Sequence, residues 1–150
     1  MLEDIKFRST CPVSSLIDIV GDKWSLIIIR DLFLDRNTYT EFLKSPEGIA
    51  TNILVDRLKK LQSFELISYF KKVGDNKVKY YYLTDKGIDL YSVLCEMSLW
   101  SKKHLKFREM HPLGVDLFKR IDKKGLSCEI SETIEAYQNK REGLLSEANY

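Results

Sequence analysis

The sequence lacks the features that mark membrane, secreted and disulfide-rich proteins. No apolar run reaches the ~18–20 residues that a membrane-spanning helix requires, and residues 1–10 have acidic side chains and no apolar core, unlike a signal peptide. The three cysteines are far apart and include no CxxC pair, which argues against a disulfide framework. We therefore expect a cytoplasmic protein that does not bind membranes.

Residues that would support catalysis or a metal centre are equally scarce. The only histidines are His104 and His111, and the sequence contains no nucleophile elbow, Walker loop or glycine-rich dinucleotide loop. A zinc site built from Cys95 and the two histidines would not have a common ligand spacing. We therefore expect no enzyme activity, no catalytic residue, no metal site and no cofactor.

Charge is nearly balanced over the whole chain but unevenly distributed along it. The 150 residues carry a net charge of +2, whereas residues 56–79 hold seven basic and three acidic side chains. A basic stretch on a near-neutral chain favours contact with a polyanion such as nucleic acid. A solvated lysine-rich surface is the alternative interpretation of the charge alone.

The basic stretch belongs to a helix pattern that is followed by a hairpin pattern. Apolar residues recur at helical spacing over residues 50–63 and leave a polar face opposite them. Residues 66–73 and 77–83 then predict two strands, joined by a turn at 74–76. A helix with one polar face and a lysine-bearing hairpin is the plan of a winged helix-turn-helix.

Three further helices are expected before this unit. Pro12 suits the first position of one helix, and residues 23–34 are apolar almost all round, which indicates a buried second helix. Thr38 and Glu41 fit a capping box that opens a short third helix. A turn over residues 45–48 joins this third helix to the next, which completes a helix-turn-helix.

The segment after the hairpin predicts a long helix with a surplus of apolar side chains. Thr84 fits its N-cap, and the helix is expected to run to about residue 106. Its apolar residues cover more than the one stripe that can pack on a small domain. A helix of a second copy of the chain is the simplest cover for the surplus.

Two more helices are predicted in the tail, over residues 113–121 and 129–148. We expect a winged helix-turn-helix DNA-binding domain over residues 1–107 and a helical extension over residues 108–150 that serves packing or dimerisation. The predicted fold class is α+β, mostly α, with a two-stranded wing and additional C-terminal helices.

Several short motifs follow one another over about residues 11–104. They are Cys11-Pro12-Val13, Ile19-Val20-Gly21-Asp22-Lys23-Trp24, Ile29-Arg30-Asp31-Leu32, Gly48-Ile49 followed by Leu54 and Arg57-Leu58-Lys59, Leu66-Ile67, and Tyr81-Tyr82-Leu83-Thr84-Asp85-Lys86-Gly87. In this order and spacing they resemble the HxlR family of bacterial winged-helix transcription regulators. The resemblance implies a dimeric, MarR-like DNA-binding protein that acts as a local repressor or activator. The chain departs from the family in a hairpin tip without Pro-Pro and in a longer tail.

The predicted reader helix carries side chains suited to a major groove. Asn52 can form two hydrogen bonds with an adenine edge, and Lys59 can reach a guanine or a phosphate. Thr51 or Val55 can touch a thymine methyl group. Asp56 would repel phosphate unless it meets a cytosine amine or pairs with a neighbouring lysine.

Five more basic side chains complete the candidate DNA-binding set. Arg57 lies toward the flank of the apolar stripe, so it either contacts phosphate or braces the fold through an acidic partner. The wing lysines suit phosphate contacts, which position a protein on DNA without specifying sequence. They are Lys71, Lys72, Lys77 and Lys79.

Cys11 is the candidate for redox sensing. It lies at a helix N-terminus, where the dipole and free amides favour the thiolate, and Lys6 and Arg8 are close in sequence. The family resemblance implies the same role, because some relatives sense oxidants or electrophiles with a cysteine at this place. An inert, partly buried cysteine is the alternative. Cys95 is interpreted as a core residue, and Cys128, placed before the last helix, has no predicted role.

The sequence therefore predicts a sequence-specific DNA-binding transcriptional regulator that acts as a homodimer on an inverted repeat and responds to oxidants or electrophiles through Cys11. Two alternatives stay open: a ligand-gated MarR-like sensor without thiol chemistry, and a winged helix used for protein contacts. The expected partners are double-stranded DNA, a second copy of the chain, and a small-molecule or electrophile inducer.

Overall fold

The computed structural model describes residues 5–148. Within this part the chain forms eight helices and two strands. They are α1 (Pro12–Val20), α2 (Ser25–Phe33), α3 (Tyr39–Phe42), α4 (Thr51–Ser63), β1 (Ile67–Lys72), β2 (Asp75–Leu83), α5 (Asp85–Ile88), α6 (Tyr91–His104), α7 (Pro112–Lys124) and α8 (Leu126–Ser146). This order confirms the predicted winged helix-turn-helix fold with additional C-terminal helices. No helix within residues 5–148 combines the length and apolarity needed to cross a membrane.

The junction between α1 and α2 is set by a glycine and an aspartate. The amide of Gly21 donates to the carbonyl of Ile17 at 2.7 Å, and a Cβ at this glycine would lie only 2.3 Å from that oxygen. The carboxylate of Asp22 then accepts hydrogen bonds from the amides of Trp24 and Ser25, each at 2.9 Å. Because these two amides bond to the Asp22 side chain, α2 begins at Ser25, two residues after its predicted start at residue 23.

The helix-turn-helix comprises α3 and α4. The predicted capping box is confirmed, since Thr38 Oγ1 accepts from the amide of Glu41 and the Glu41 carboxylate accepts from the amide of Thr38. Between the helices Gly48 has φ +69°, a backbone angle that residues with a Cβ rarely adopt. Helix α4 begins within one residue of its predicted start. It buries three leucines, Leu54, Leu58 and Leu61.

The wing is the antiparallel hairpin of β1 and β2, which pair from Ile67 with Leu83 to Lys72 with Asp75. The predicted turn at residues 74–76 is misplaced, because β2 begins at Asp75, two residues before its predicted start at residue 77. The carboxylate of Asp75 accepts a hydrogen bond from the amide of Lys77 at 3.0 Å. This side chain therefore bonds to the backbone of its own strand. The chain instead reverses at Val73 and Gly74.

A third piece of extended chain, which the sequence did not predict, adds to the wing. Thr38 forms a β-bridge with Tyr80, and the amide of Tyr81 donates to the carbonyl of Asn37 at 2.7 Å. The residue that caps α3 therefore also pairs with β2. This bridge fixes the helix-turn-helix against the base of the wing.

The predicted long helix is interrupted. Thr84 caps its start as expected and accepts from the amide of Gly87 at 3.2 Å, but two helices, α5 and α6, replace one. Gly87 packs so closely on the hairpin that a Cβ there would lie 2.0 Å from the carbonyl oxygen of Leu66. Since α5 is fixed against the hairpin, the chain turns at residues 89–90 before α6 runs between α2 and α8.

The C-terminal extension packs on the winged helix-turn-helix. Tyr137 on α8 joins the hydrophobic core, and its hydroxyl accepts a hydrogen bond from the amide of Leu83 at 3.0 Å. Arg141 donates to the carbonyl of Leu83 at 3.0 Å and to the carboxylate of Asp85 at 2.6 Å. Helix α8 therefore contacts the point where the wing meets α5.

A buried carboxylate joins α6, α7 and α8. Glu129 is fully buried and accepts from the hydroxyl of Tyr91 at 2.9 Å and from Thr133 at 3.0 Å. Arg120 and Lys124 lie 3.0 and 2.9 Å from its oxygens. Burial opposes ionisation, but these cations and hydroxyls outweigh it and lower the pKa of Glu129 below its ordinary value.

Candidate nucleic-acid interface

Helix α4 presents a continuous polar face on the side opposite its buried leucines. Each side chain predicted to read DNA, apart from Arg57, is exposed on this face, and Val55 is 40% exposed. The exposed residues are Thr51, Asn52, Val55, Asp56 and Lys59. Their spacing of three and four residues places them on one side of the helix, as contact with a groove requires.

Arg57 is half-buried at the flank of α4. Its Nε lies 3.0 Å from Oδ1 of Asp22, and its terminal nitrogen also pairs with Asp56. Lys60, one turn from Asp56 on the same helix, lies 3.6 Å from the other oxygen of Asp22. Of the two roles that the sequence left open for Arg57, these contacts favour bracing of the fold.

Asp22 is held ionised by the groups around it. Burial raises the pKa of this carboxyl, but the hydroxyl of Ser25, the amides of Trp24 and Ser25, and the charge of Arg57 outweigh burial and lower the pKa to about 2. One carboxylate thus caps α2 and orients α4. The position of the polar face depends on it.

A second ion-pair cluster fixes the turn that precedes α4. The guanidinium of Arg30 on α2 donates to both oxygens of Glu47, at 2.5 and 2.9 Å, and to Asp31 at 2.8 Å. Ser45 adds a hydrogen bond to Glu47 at 2.8 Å. The Arg30 hydrogen bonds, aided by Ser45, lower the pKa of Glu47 to about 2 despite its partial burial. Helix α2 and the turn are therefore joined by a bidentate pair.

The wing lysines differ in how they are placed. Lys77 and Lys79 are exposed, and Lys79 Nζ lies 4.2 Å from the ring centre of Tyr69. Lys72 instead pairs with Glu147 at 2.9 Å, so the tail already engages it. Lys71 is half-buried at the irregularity in the strand pairing. Lys77 and Lys79 are thus the wing cations most open to a phosphate.

Thr40 is a further candidate that the sequence reasoning missed. A hollow of about 370 Å³ separates the start of α3 from the wing, and Thr38, Thr40, Lys77 and Lys79 line it. Thr40 is exposed in the first turn of α3 beside these lysines, so its hydroxyl can donate to a phosphate. The predicted capping box could have identified this position, because it places Thr40 in the first turn of α3.

The described cysteines occupy three different environments. Cys11 is exposed at the N-cap of α1, and Arg8 pairs with Asp18 at 2.5 Å. Cys95 is buried, as predicted, and burial raises the pKa of its thiol. Cys128 lies within the first turn of α8, and not before the helix as expected. Its hydrogen bond to Glu132 raises the pKa of its thiol.

The two histidines have structural roles. The ring of His104 packs on Trp100 with 5.0 Å between ring centres, and His111 Nδ1 accepts from the amide of Leu113 at the start of α7. Among residues 5–148, no group of three or more histidine, cysteine or acidic side chains is arranged to hold a metal ion.

Comparison with known proteins identifies the family. The model of HxlR-like helix-turn-helix proteins matches residues 19–109. The chain is 28% identical over 121 residues to an uncharacterised HTH-type transcriptional regulator, sll1512 of Synechocystis, covering 81% of this chain and 76% of the relative. It is 30% identical over 96 residues to the HTH-type transcriptional regulator YodB of Bacillus subtilis, covering 63% of this chain and 85% of YodB.

Solved structures agree with the family match. A candidate transcription factor, PA1607, superposes with a TM-score of 0.63 at 33% identity, covering 69% of this chain and 72% of that one. The reduced form of YodB gives a TM-score of 0.54 at 28% identity, covering 65% and 97%. The quinone-bound form of YodB gives 0.51 at 29% identity, covering 62% and 99%. Since the family model matches more than half of the chain, this protein belongs to the HxlR-like helix-turn-helix family of transcriptional regulators.

Proposed function

We propose that this HTH-type transcriptional regulator binds double-stranded DNA in the cytoplasm as a homodimer, at an inverted repeat. The observation that carries the proposal is the exposed polar face of α4, flanked by the exposed lysines of the wing. The turn before α4 is held by an ion pair to α2, and the flank of α4 is held by ion pairs to Asp22, just before α2, so the face is preorganised for contact. Rigid placement of a reader helix reduces the entropy that binding must offset.

The side chains on this surface divide into two roles. Asn52 reads an adenine edge and Lys59 reaches a guanine or a phosphate, while Thr51 and Val55 meet thymine methyl groups. Asp56 is paired with Arg57, which reduces its repulsion of phosphate. The wing residues hold the backbone of the DNA. They are Lys71, Lys77 and Lys79, with Lys72 joining them when it leaves Glu147.

A homodimer is supported by apolar side chains that the described chain leaves exposed. Val13 and Ile17 on α1 are 67% and 52% exposed, and Met97 and Trp100 on α6 are 51% and 60% exposed. Such apolar residues mark interaction sites when they lie together on a surface. We further propose that residues 1–107 form the DNA-binding unit, and that residues 108–150 pack against it and stabilise it.

A second function, thiol sensing by Cys11, is favoured by one observation. Cys11 is exposed at the N-terminus of α1. The exposed apolar side chains of this helix are those proposed to contact the second copy of the chain. YodB, a relative, has been solved in reduced and quinone-bound forms. An adduct on Cys11 would add bulk beside the proposed dimer contact and change the spacing of the two reader helices. A ligand-gated sensor without thiol chemistry and a protein-interaction module are the competing functions.

The DNA-binding proposal is tested by selecting duplexes from a random-sequence library and measuring their affinity by fluorescence anisotropy. We expect an inverted repeat with half-site centres about one helical turn apart, and affinity that falls steeply with salt. Sedimentation of the free protein at micromolar concentration should give a dimer. A monomer that enriches no sequence would overturn the proposal and favour a protein-interaction module.

The sensing proposal is tested on the selected duplex with a quinone or diamide. The unmodified protein should release DNA, whereas Cys11→Ser should bind DNA and fail to respond. Cys128→Ser serves as the matched control and should respond like the unmodified protein. Release by Cys11→Ser after oxidation would show that Cys11 is not the sensor.

A further inference from the structure

We propose that the residues that follow α8 form an autoinhibitory latch on the tip of the wing, and that this latch opens when the wing holds DNA. The latch consists of Lys72 and Val73, where β1 ends, and of Glu147 and Ala148, which follow α8. The match to the family ends at residue 109, so one half of the latch lies outside the shared part. The inhibition rests on the DNA-binding function proposed above, whereas the latch itself does not.

Backbone and side-chain contacts together hold the latch closed. The amide of Val73 donates to the carbonyl of Glu147 at 3.3 Å, and Lys72 forms an antiparallel β-bridge with Ala148. The ammonium of Lys72 also lies 2.9 Å from the Glu147 carboxylate. Since Lys72 pairs with Asp75 of β2 on one side, Ala148 lies along the opposite, outer edge of β1. The residues after α8 therefore begin a third strand at the tip of the wing.

The latch is the weakly held end of a well-anchored segment. Tyr137 and Arg141 fix α8 at the base of the wing, where both bond to the backbone of Leu83. At the tip, 37% of the Lys72 side chain and 53% of the Glu147 side chain are open to solvent, and exposed ion pairs contribute little to stability. The tip can therefore open while the base stays docked.

The closed latch opposes DNA binding by charge and by bulk. Glu147 occupies a wing cation that would otherwise contact phosphate, and its carboxylate places negative charge beside the wing. The added chain also makes the tip broader than the two strands of the hairpin. A phosphate that takes Lys72 from Glu147 favours the open state, so DNA and the tail compete for the same cation.

A substitution at Ala148 opens the latch without changing the charge of the chain. Glu147 has φ −88° and ψ −1°, and a proline at the next position disfavours this helical conformation. The proline also removes the amide that donates to the carbonyl of Leu145 at 3.1 Å. Ala148→Pro should therefore move the Glu147 carbonyl away from Val73. Ala148→Gly leaves this backbone conformation accessible and is the matched control.

Amide hydrogen exchange of the full chain, read by NMR, tests the latch without DNA. The Val73 amide should exchange about tenfold or more faster in Ala148→Pro than in the unmodified protein, because it loses its acceptor. In Ala148→Gly it should exchange as in the unmodified protein. Equal exchange of Val73 in Ala148→Pro and in the unmodified protein would overturn the latch.

DNA affinity tests the inhibition separately, by fluorescence anisotropy on the selected and random duplexes. Ala148→Pro should bind both about threefold or more tightly and with a steeper salt slope, because Lys72 gains a phosphate contact. Faster Val73 exchange with unchanged or lower affinity would overturn the inhibition and leave the DNA-binding proposal intact. Failure of both the unmodified protein and Ala148→Pro to bind any duplex would overturn the DNA-binding proposal and the inhibition together, while the exchange result still decides the latch.

Discussion

Arg57 on the reader helix α4 directs its guanidinium to Asp22, with 3.0 Å between Nε and Oδ1. The same carboxylate caps α2, so a single aspartate links the buried helix of the domain to the helix proposed to read DNA. The two residues are far apart in the sequence, and the pairing assigns Arg57 to the fold. The surface left for DNA is then formed by the exposed side chains of α4 and the wing.

Removal of this pair should cost stability. We predict that Arg57→Ala lowers the free energy of unfolding by about 1–2 kcal/mol, because the half-buried Asp22 loses a charged partner. Lys59→Ala on the exposed face of the same helix removes the same charge and should change stability by less than about 0.5 kcal/mol. Urea denaturation of both variants measures the difference. Equal effects would return Arg57 to the DNA-contact set.

The clamp between Arg30 and Glu47 predicts a pH dependence. The pKa of Glu47 falls from an ordinary 4.5 to about 2 in the folded chain, so its contribution is complete above about pH 4.5 and is lost as pH falls toward 2. The stability difference between the unmodified protein and Glu47→Gln should therefore shrink over this range. The exposed Glu135→Gln is the control and should show a small, flat difference. A constant difference for Glu47→Gln would contradict the clamp.

The hydroxyl of Tyr137 contributes to the docking of the tail. We predict that Tyr137→Phe lowers the free energy of unfolding by about 1–3 kcal/mol, because the buried amide of Leu83 loses its acceptor. Tyr69→Phe on the exposed face of the hairpin should be nearly neutral. Thermal unfolding of the two variants gives the comparison. A neutral Tyr137→Phe would mean that this hydrogen bond does not stabilise the docking of α8.

The ion pair between Glu147 and Lys72 predicts a gain of DNA affinity. Glu147→Gln removes the carboxylate that engages Lys72 at 2.9 Å and frees this cation for phosphate. Affinity for selected and random duplexes should rise equally, with the salt slope steeper by up to about one. The gain should disappear in the double variant with Lys72→Ala, and Glu142→Gln on α8 should have no effect. A gain that survives Lys72→Ala would exclude this explanation.

Much of the fold was predictable because its helices begin with local signals. Pro12, the pair of Thr38 and Glu41, and Thr84 each mark a helix start from the sequence alone, and the structure confirms all three. Helix capping is determined by side chains within three or four residues of each other, so a helix start can be predicted from a short stretch of sequence.

The errors arise where the cause lies far away in the sequence. The break at residues 89–90 follows from the contact of Gly87 with the carbonyl of Leu66, which the helical pattern of residues 85–106 does not reveal. The hairpin turn was misplaced because Asp75 is a turn former by propensity, yet its carboxylate bonds to strand amides here. The ion pair between Lys72 and Glu147 was not predicted, because Glu147 lies in the tail, far from the wing in the sequence.

The central claim is that α4 reads sequence while the wing holds phosphate. It is tested most directly by measuring Asn52→Ala and Lys77→Ala on the selected duplex and on random duplex by fluorescence anisotropy over a salt series. We predict that Asn52→Ala costs about 1–3 kcal/mol on the selected duplex and little on random DNA. Lys77→Ala should weaken both duplexes equally and lower the salt slope by about one. Equal loss from Asn52→Ala on the two duplexes would contradict the claim.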